Sequence, residues 1–326
     1  MRTRFAALLF FLAASTLTLT GCISGLTYNT ANPVAATFLF TTALASNTAG
    51  SVNTYPVAST GSAVAASSSV PVTSTYVGGI HGDGAGNIYL VSAPYLSNNL
   101  TVSVYSTAAG VLTLTRSFTY STPVYSFTVD PTGIVYISNG RGVILKFAAN
   151  ATGAATPSTI AVSTSSYSAM ATDTAGDLFT YDTSGIITEF LAGTSSYYRY
   201  IGPTSGLNYS SVTDMALDSV GNIYIAGDVG STPTIFEYPQ AAGTVAAIKT
   251  ISGSNTLFGP LQALTVDAVG NIYVEDAAST SSPHNVDLYT FAPTTATGNV
   301  NVAPTSHFTP TATTEASAGA VGLVAY

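Results

Sequence analysis

Short runs of alternating apolar and polar residues, separated by clusters of Gly, Asp, Asn, Ser and Thr, fill most of this 326-residue chain and predict short β-strands joined by tight turns. One pattern recurs five times: Asp83-Gly-Ala-Gly86-Asn-Ile-Tyr89, Asp130-Pro-Thr-Gly133-Ile-Val-Tyr136, Asp173-Thr-Ala-Gly176-Asp-Leu-Phe179, Asp218-Ser-Val-Gly221-Asn-Ile-Tyr224 and Asp267-Ala-Val-Gly270-Asn-Ile-Tyr273. The aspartates are 47, 43, 45 and 49 residues apart. Asp at the first turn position caps the turn amides, and Gly at the fourth accepts positive φ, so each copy predicts a β-hairpin.

The strand before each turn carries one bulky residue three places ahead of the aspartate (Ile80, Phe127, Met170, Met215, Leu264) with smaller residues around it, which suits a crowded inner position. A second strand follows each turn. Third strands are expected at 101–105, 143–147, 186–190, 234–238 and 287–291, and fourth strands at places such as 112–118, 197–201 and 245–251. Four strands per repeat of about 46 residues make a propeller blade. Residues 36–41 and 51–55 read as second and third strands lacking a first, and 320–325 as a first strand lacking the rest, with Leu323 in the apolar column. Pairing the two ends gives an all-β, six-bladed β-propeller over 35–326, closed by the C-terminal strand. An open solenoid usually has a shorter repeat, and no Pro-rich or charged linker divides the chain into sandwiches. Residues 57–75, rich in Ala, Ser and Thr, are expected to be a loose loop with a weak outer strand.

The N-terminus adds a location. Arg2 and Arg4 precede the apolar stretch 5–14, too short to span a bilayer, and lead to Leu19-Thr20-Gly21-Cys22. This resembles a bacterial lipobox. The resemblance implies a signal peptide over 1–21, lipidation of Cys22, the chain's single cysteine, and a tether over 22–34. Ile23 and Ser24 lack the aspartate of an inner-membrane retention signal, so outer-membrane or cell-surface placement is expected.

Without 1–21 the chain has five basic residues (Arg116, Arg141, Lys146, Arg199, Lys249) against fifteen acidic ones, a balance of −10 that argues against nucleic acid as a partner. Charged residues are 7% of the chain while 46% is hydrophobic, so low charge here accompanies a core rather than disorder. A monomer is expected.

The segments 216–225 and 265–274, and the run Tyr289-x-Phe-Ala-Pro through Thr297-Gly-Asn-Val300, resemble NHL repeats of bacterial proteins. The basic residues of the RNA-binding relatives are missing, so that role does not carry over.

The repeated turn residues (Asp83, Gly86, Asp130, Gly133, Asp173, Gly176, Asp218, Gly221, Asp267, Gly270) are read as structural. Ligands of propellers meet the opposite rim, where the sequence places Asn139, Arg141, Asp182, Asp214, Asp228, Glu275 and Asp276. Asn139, Asp182 and Asp276 each follow their repeat's aromatic by three residues; they form either a ring of oxygen ligands for Ca²⁺ or turn caps. His81, His284 and His307 are scattered, and no Gly-x-Ser-x-Gly elbow or phosphate-cradling loop occurs. Tyr197-Tyr198-Arg199-Tyr200 is the densest aromatic cluster, read as blade packing with carbohydrate stacking as the alternative. The expected function is a surface-tethered, non-enzymatic platform for a protein or polysaccharide. Two alternatives stand beside it: a Ca²⁺-dependent hydrolase similar to gluconolactonase-type propellers, using Asp214, Glu275 and Asn139, and a structural part of an envelope complex.

Overall fold

Six sheets, each with a four-stranded antiparallel body whose innermost strand precedes an Asp-turn or is supplied by the C-terminus, account for the described chain in this computed structural model. Described are residues 35–46, 49–72, 76–93, 98–161, 166–203, 212–277, 286–311 and 323–325. The expected signal segment, Cys22 and the tether lie outside the described residues, as does His284.

In chain order, blade 1 comprises Phe38–Ser46, Ala49–Pro56 and Ser68–Val72, with Leu323–Ala325 as its inner strand. Blade 2 runs Tyr76–Gly82, Asn87–Ala93, Asn99–Ala108 and Val111–Ser121; blade 3 runs Ser126–Val129, Val135–Ser138, Val143–Phe147 and Ser158–Ala161. Blade 4 has Tyr167–Thr172, Leu178–Asp182, Ile187–Phe190 and Tyr197–Pro203. Blade 5 has Val212–Leu217, Ile223–Val229, Thr232–Tyr238 and Lys249–Ile251, and blade 6 has Leu261–Val266, Ile272–Ala277, Val286–Phe291 and Ser306–Pro310. Each inner strand touches the next around the circle, and the C-terminal strand touches those of blades 6 and 2, so the ring of six is closed. The closing strand pairs antiparallel with the first blade, Leu39 against Ala325 and Thr41 against Leu323.

Successive blades bury apolar faces against each other rather than around one centre. Phe179, Ile187 and Ile201 of blade 4 meet Met215, Phe236 and Tyr238 of blade 5; Ala263, Tyr273 and Leu288 of blade 6 meet Leu39 and Tyr55 of blade 1. Ile80, Phe127, Met170, Met215 and Leu264 are all buried, as a crowded inner column requires.

The Asp-x-x-Gly turns share one geometry. In each, Oδ1 of the aspartate accepts the backbone N–H groups two and four residues on, at 2.8–3.1 Å, and the glycine has φ between 84° and 95°. The aromatic six residues on explains itself: Tyr89, Tyr136, Tyr224 and Tyr273 each donate a hydroxyl to Oδ2. Where that residue is Phe179, the amide of Gln240 from blade 5 reaches Asp173 instead. Each of the five carboxylates, four of them buried, is thereby satisfied at both oxygens.

The outer edge departs from the four-strand expectation. Blades 2, 4, 5 and 6 carry a fifth, parallel strand donated by the following blade: Gly153–Ala154, Gly243–Val245, Gly298–Val300 and Gly61–Val64. Each is a clasp thrown back by the connection between the donor's third and fourth strands. The expected strand 245–251 is therefore two, a clasp ending at Val245 and a fourth strand beginning at Lys249. Likewise 57–75 is a clasp, 61–64, followed by a fourth strand, 68–72. The NHL-like Thr297-Gly-Asn-Val300 run is also a clasp. All four begin with a glycine at positive φ whose absent Cβ would meet nothing within 4 Å, so the requirement is conformational.

Candidate functional site

The rim opposite the Asp-turns, with the channel it opens into, is built from the loops entering first strands and leaving second strands. Asn139 and Asp182 sit in the hairpins after the second strands of blades 3 and 4. Asn139 Oδ1 accepts the Arg141 N–H at 3.0 Å. Asp182 Oδ1 accepts those of Ser184 and Ile186 at 2.8 and 3.1 Å, and Gly185 has φ 76°. Asp182-Thr-Ser-Gly185 thus repeats the Asp-x-x-Gly turn on the opposite rim. Both side chains act as turn caps.

Asp214 belongs to the channel wall. Its carboxylate bridges two blades, accepting from Met215 N–H of its own strand and Leu264 N–H of the next, both at 2.8 Å. Burial pushes its pKa up to about 7, against the pull of those two amides. His81, on the inner strand of blade 2, meets the ring of Phe127 edge-to-face at 4.7 Å, and burial pushes its pKa down to about 4. Neutral His is therefore the form at neutral pH.

Glu275 is fully buried and close enough to Tyr55 of blade 1 to reinforce the rise of that phenol to about 12, which burial begins. Asp276, its neighbour, points to the other face of blade 6, where Oδ2 accepts the N–H of Gly259. Burial, aided by nearby Asp287, pushes its pKa up to about 7. Asp228 is the penultimate residue of the second strand of blade 5, and burial raises it too.

Sequence reasoning missed the groups that join Asp276. Strand register sets it opposite Asp287 and Tyr289 opposite His307. His307 stacks on Tyr289 at 4.7 Å and its Nε2 lies 3.4 Å from Asp287, whose carboxylate accepts from the Thr309 hydroxyl. Tyr289 donates to the carbonyl of Leu257 at 3.2 Å. The signal available was the period-two spacing of Asp287 with Tyr289 and of His307 with Thr309, which becomes informative only once the two strands are paired.

Asn139, Asp214 and Glu275 stand on three blades, each in its own local environment. Among the described residues no three His, Cys, Asp or Glu side chains are grouped to hold a metal ion. Asp182 and Asp276 fix loops of this rim, and Asp214 ties two inner strands.

Four of the five basic side chains beyond residue 21 are engaged within the fold. Arg199 pairs with Glu189 and Lys249 with Glu237 at 2.7 Å; Arg116 donates to Tyr89 and the Ala151 carbonyl; Lys146 lies 5.8 Å from the Tyr136 ring centroid. Arg141 is exposed at the tip of the blade 3 hairpin. Beside it, Tyr125 is 62% exposed with its ring laid on Gly140, where a Cβ would come within 2.4 Å.

Among solved structures the chain is similar to the crystal structure of the WD40 β-propeller domain of Doa1, at 14% identity and a TM-score of 0.43, over 68% of this chain and 70% of that one. No protein-family model matches it, and no curated protein does.

Proposed function

We propose that the chain is an NHL-like propeller, tethered through Cys22 to the outer membrane or cell surface, that binds a protein or polysaccharide without catalysis. The observation that carries this reading is the Tyr125–Arg141 patch. An exposed guanidinium on the blade 3 hairpin stands beside an exposed aromatic that enters the first strand of that blade and lies on the hairpin's Gly140; Asn139 caps the hairpin and Ser166 of blade 4 donates to the Gly140 carbonyl. Tyr and Arg are the residue types that dominate binding hot spots, and a capped hairpin with a ring packed on it presents them with little ordering cost.

The test uses the full-length lipoprotein. A photo-crosslinking amino acid at position 125 and a glycan array probe the two ligand classes. Either a discrete protein adduct or a glycan signal is expected, reduced at least tenfold by Arg141→Ala; neither appearing, or indifference to Arg141, overturns the reading. Loss of membrane partition in Cys22→Ser tests the anchor.

One observation favours hydrolysis as a second reading: the carboxyls of Asp214 and Asp276 are both held near neutrality, where a general acid or base operates. Lactone turnover abolished by Asp214→Asn would establish it.

A further inference from the structure

The clasps leave two blades uncovered, 1 and 3, and the two differ. The connection that would clasp blade 1 is the tight hairpin at Ala109-Gly110 of blade 2, and the outer strand of blade 1 contains Pro71, which has no N–H to offer. Blade 3 has no such guard. Its outer strand, Ser158–Ala161, is the edge of its sheet, with Ser158 and Thr159 exposed, and no described strand pairs with it. The connection that would clasp it, 191–196 in blade 4, is shorter than 57–67, 148–157, 239–248 and 292–305, which form the clasps. It folds instead into an exposed turn closed by Thr194 N–H on Leu191 O at 3.0 Å.

That omission uncovers aromatic surface. A bulge lies between Glu189 and Phe190 where the outer strand of blade 4 pairs with them, so Tyr197 sits opposite Phe190 and Tyr200 opposite Thr188, on one face. Phe190 packs with Ile160 of blade 3, so this is the face turned toward blade 3. The two tyrosine rings lie 4.6 Å apart and are 57% and 48% exposed. Arg199 and Ile201 point the other way, the first to Gln240 of blade 5 and the second into the blade 4–5 core.

The other seams show what closes such a place. At the seam of blades 4 and 5, Gly243–Val245 pairs with the outer strand and buries Val245 in the interblade core; at that of blades 6 and 1, half-buried Val64 packs against the core. Between blades 3 and 4 the strand edge is present and the aromatic floor is present, while no clasp is supplied from within the described chain.

We infer that the outer edge of blade 3 is a strand-addition site. It takes an extended, uncharged polypeptide segment of the form Gly-small-Val from a partner protein, which pairs in parallel with Ser158–Ala161 and lays its aliphatic side chain over Tyr197 and Tyr200. The main-chain ladder supplies affinity, and the tyrosine pair selects the side chain. The continuity of this edge with the four clasped seams argues for a peptide as its occupant. The site is separate from the Tyr125–Arg141 patch and does not depend on it.

The probe is a fluorescent peptide with the sequence of residues 294–302, an uncharged clasp, titrated into the full-length protein in detergent, with amide hydrogen exchange to locate it. Saturable one-to-one binding is expected, with exchange slowed at 158–161. Affinity falls at least tenfold in Tyr197→Ser/Tyr200→Ser and when the peptide's Val is replaced by Asp; Arg141→Ala leaves it unchanged. Because both tyrosines are exposed, an unchanged melting temperature separates lost binding from lost folding. The inference fails if the peptide does not saturate, if protection appears at 249–251 instead (exchange with the native clasp), or if the tyrosine pair binds oligosaccharide and not peptide. Failure with an intact crosslink at position 125 removes this site and leaves the proposed platform standing.

Discussion

At one rim of the ring, Asp83, Asp130, Asp173, Asp218 and Asp267 each hold two turn amides with one oxygen and, with the other, a buried tyrosine hydroxyl or, for Asp173, the amide of half-buried Gln240 from the next blade. At the opposite rim Asp182 closes a turn of the same form, but no tyrosine stands six residues on, and its described hydrogen bonds are those of the turn itself. The first arrangement ties four turns to a buried tyrosine ring and the fifth to the next blade; the second shapes a single hairpin. Identical local chemistry therefore carries different weight according to what the second carboxylate oxygen reaches. Regularity marks the rim that maintains the ring, and the departures from it (Arg141, Tyr125, the Asp276–Asp287–His307 group) mark surfaces free to differ.

The sharpest way to break that comparison is to remove both kinds of aspartate. Asp267→Ala strips acceptors from Val269 and Asn271 N–H, the Asn271 amide, the Tyr273 hydroxyl and the Ala36 N–H that docks the first blade. Leaving several of these groups buried and unsatisfied should cost about 3–4 kcal/mol. Asp182→Ala loses two amide bonds at a turn and should cost about 1–2 kcal/mol. Urea denaturation of the two variants checks both values, and equal losses would mean that the second oxygen is unimportant.

How much of this was legible follows from the same distinction. The Asp and Gly of each turn report a local backbone geometry, so the turns, the strands flanking them and the closure by 323–325 could be read residue by residue. The clasps could not, because two to four residues are too few for alternation to show and only the leading glycine marks them. Asp276, Asp287, Tyr289 and His307 were illegible as a group because register, which sequence does not state, brings them together. The Asp182-x-x-Gly185 turn was legible in principle; its aspartate was read by distance from the preceding aromatic rather than by the glycine that follows.

The channel wall offers a smaller test. Burial raises Asp214 and Asp276 from 3.8 to about 7, so between roughly pH 4 and 7 the folded chain retains protons that the unfolded chain has released. Their contribution is full below pH 4 and is lost as pH rises through 7. His81, lowered from 6.5 to about 4, acts oppositely, since there the unfolded chain binds the extra proton. Burial raises Asp177, Glu189 and Asp228 as well, so with these acids set against His81 stability should decline from pH 4 to 7. Asp214→Asn should flatten that decline by on the order of 2 kcal/mol, and His81→Phe should steepen it. Denaturation midpoints across this range supply the check; a slope unmoved by Asp214→Asn would show that this carboxyl is ionised throughout.

The finest comparison sets glycine against glycine. Gly133 and Gly185 close turns on the two rims with φ 87° and 76°, so alanine at either should cost about 1 kcal/mol for the backbone alone. Their surroundings differ. A Cβ at Gly133 would come 2.6 Å from the hydroxyl of Tyr89, which is held by Asp83 and Arg116 of the preceding blade. At Gly185 the nearest atom is 3.4 Å away, the hydroxyl of Tyr181 in the same blade. Gly133→Ala must therefore displace a contact between blades and should exceed Gly185→Ala by about 1 kcal/mol in thermal or urea denaturation. In the double variant Gly133→Ala/Tyr89→Phe the hydroxyl is gone, so this excess should disappear. Its persistence would place the strain in the turn itself, and the turn rim would then be uniform in sequence without being mechanically continuous from blade to blade.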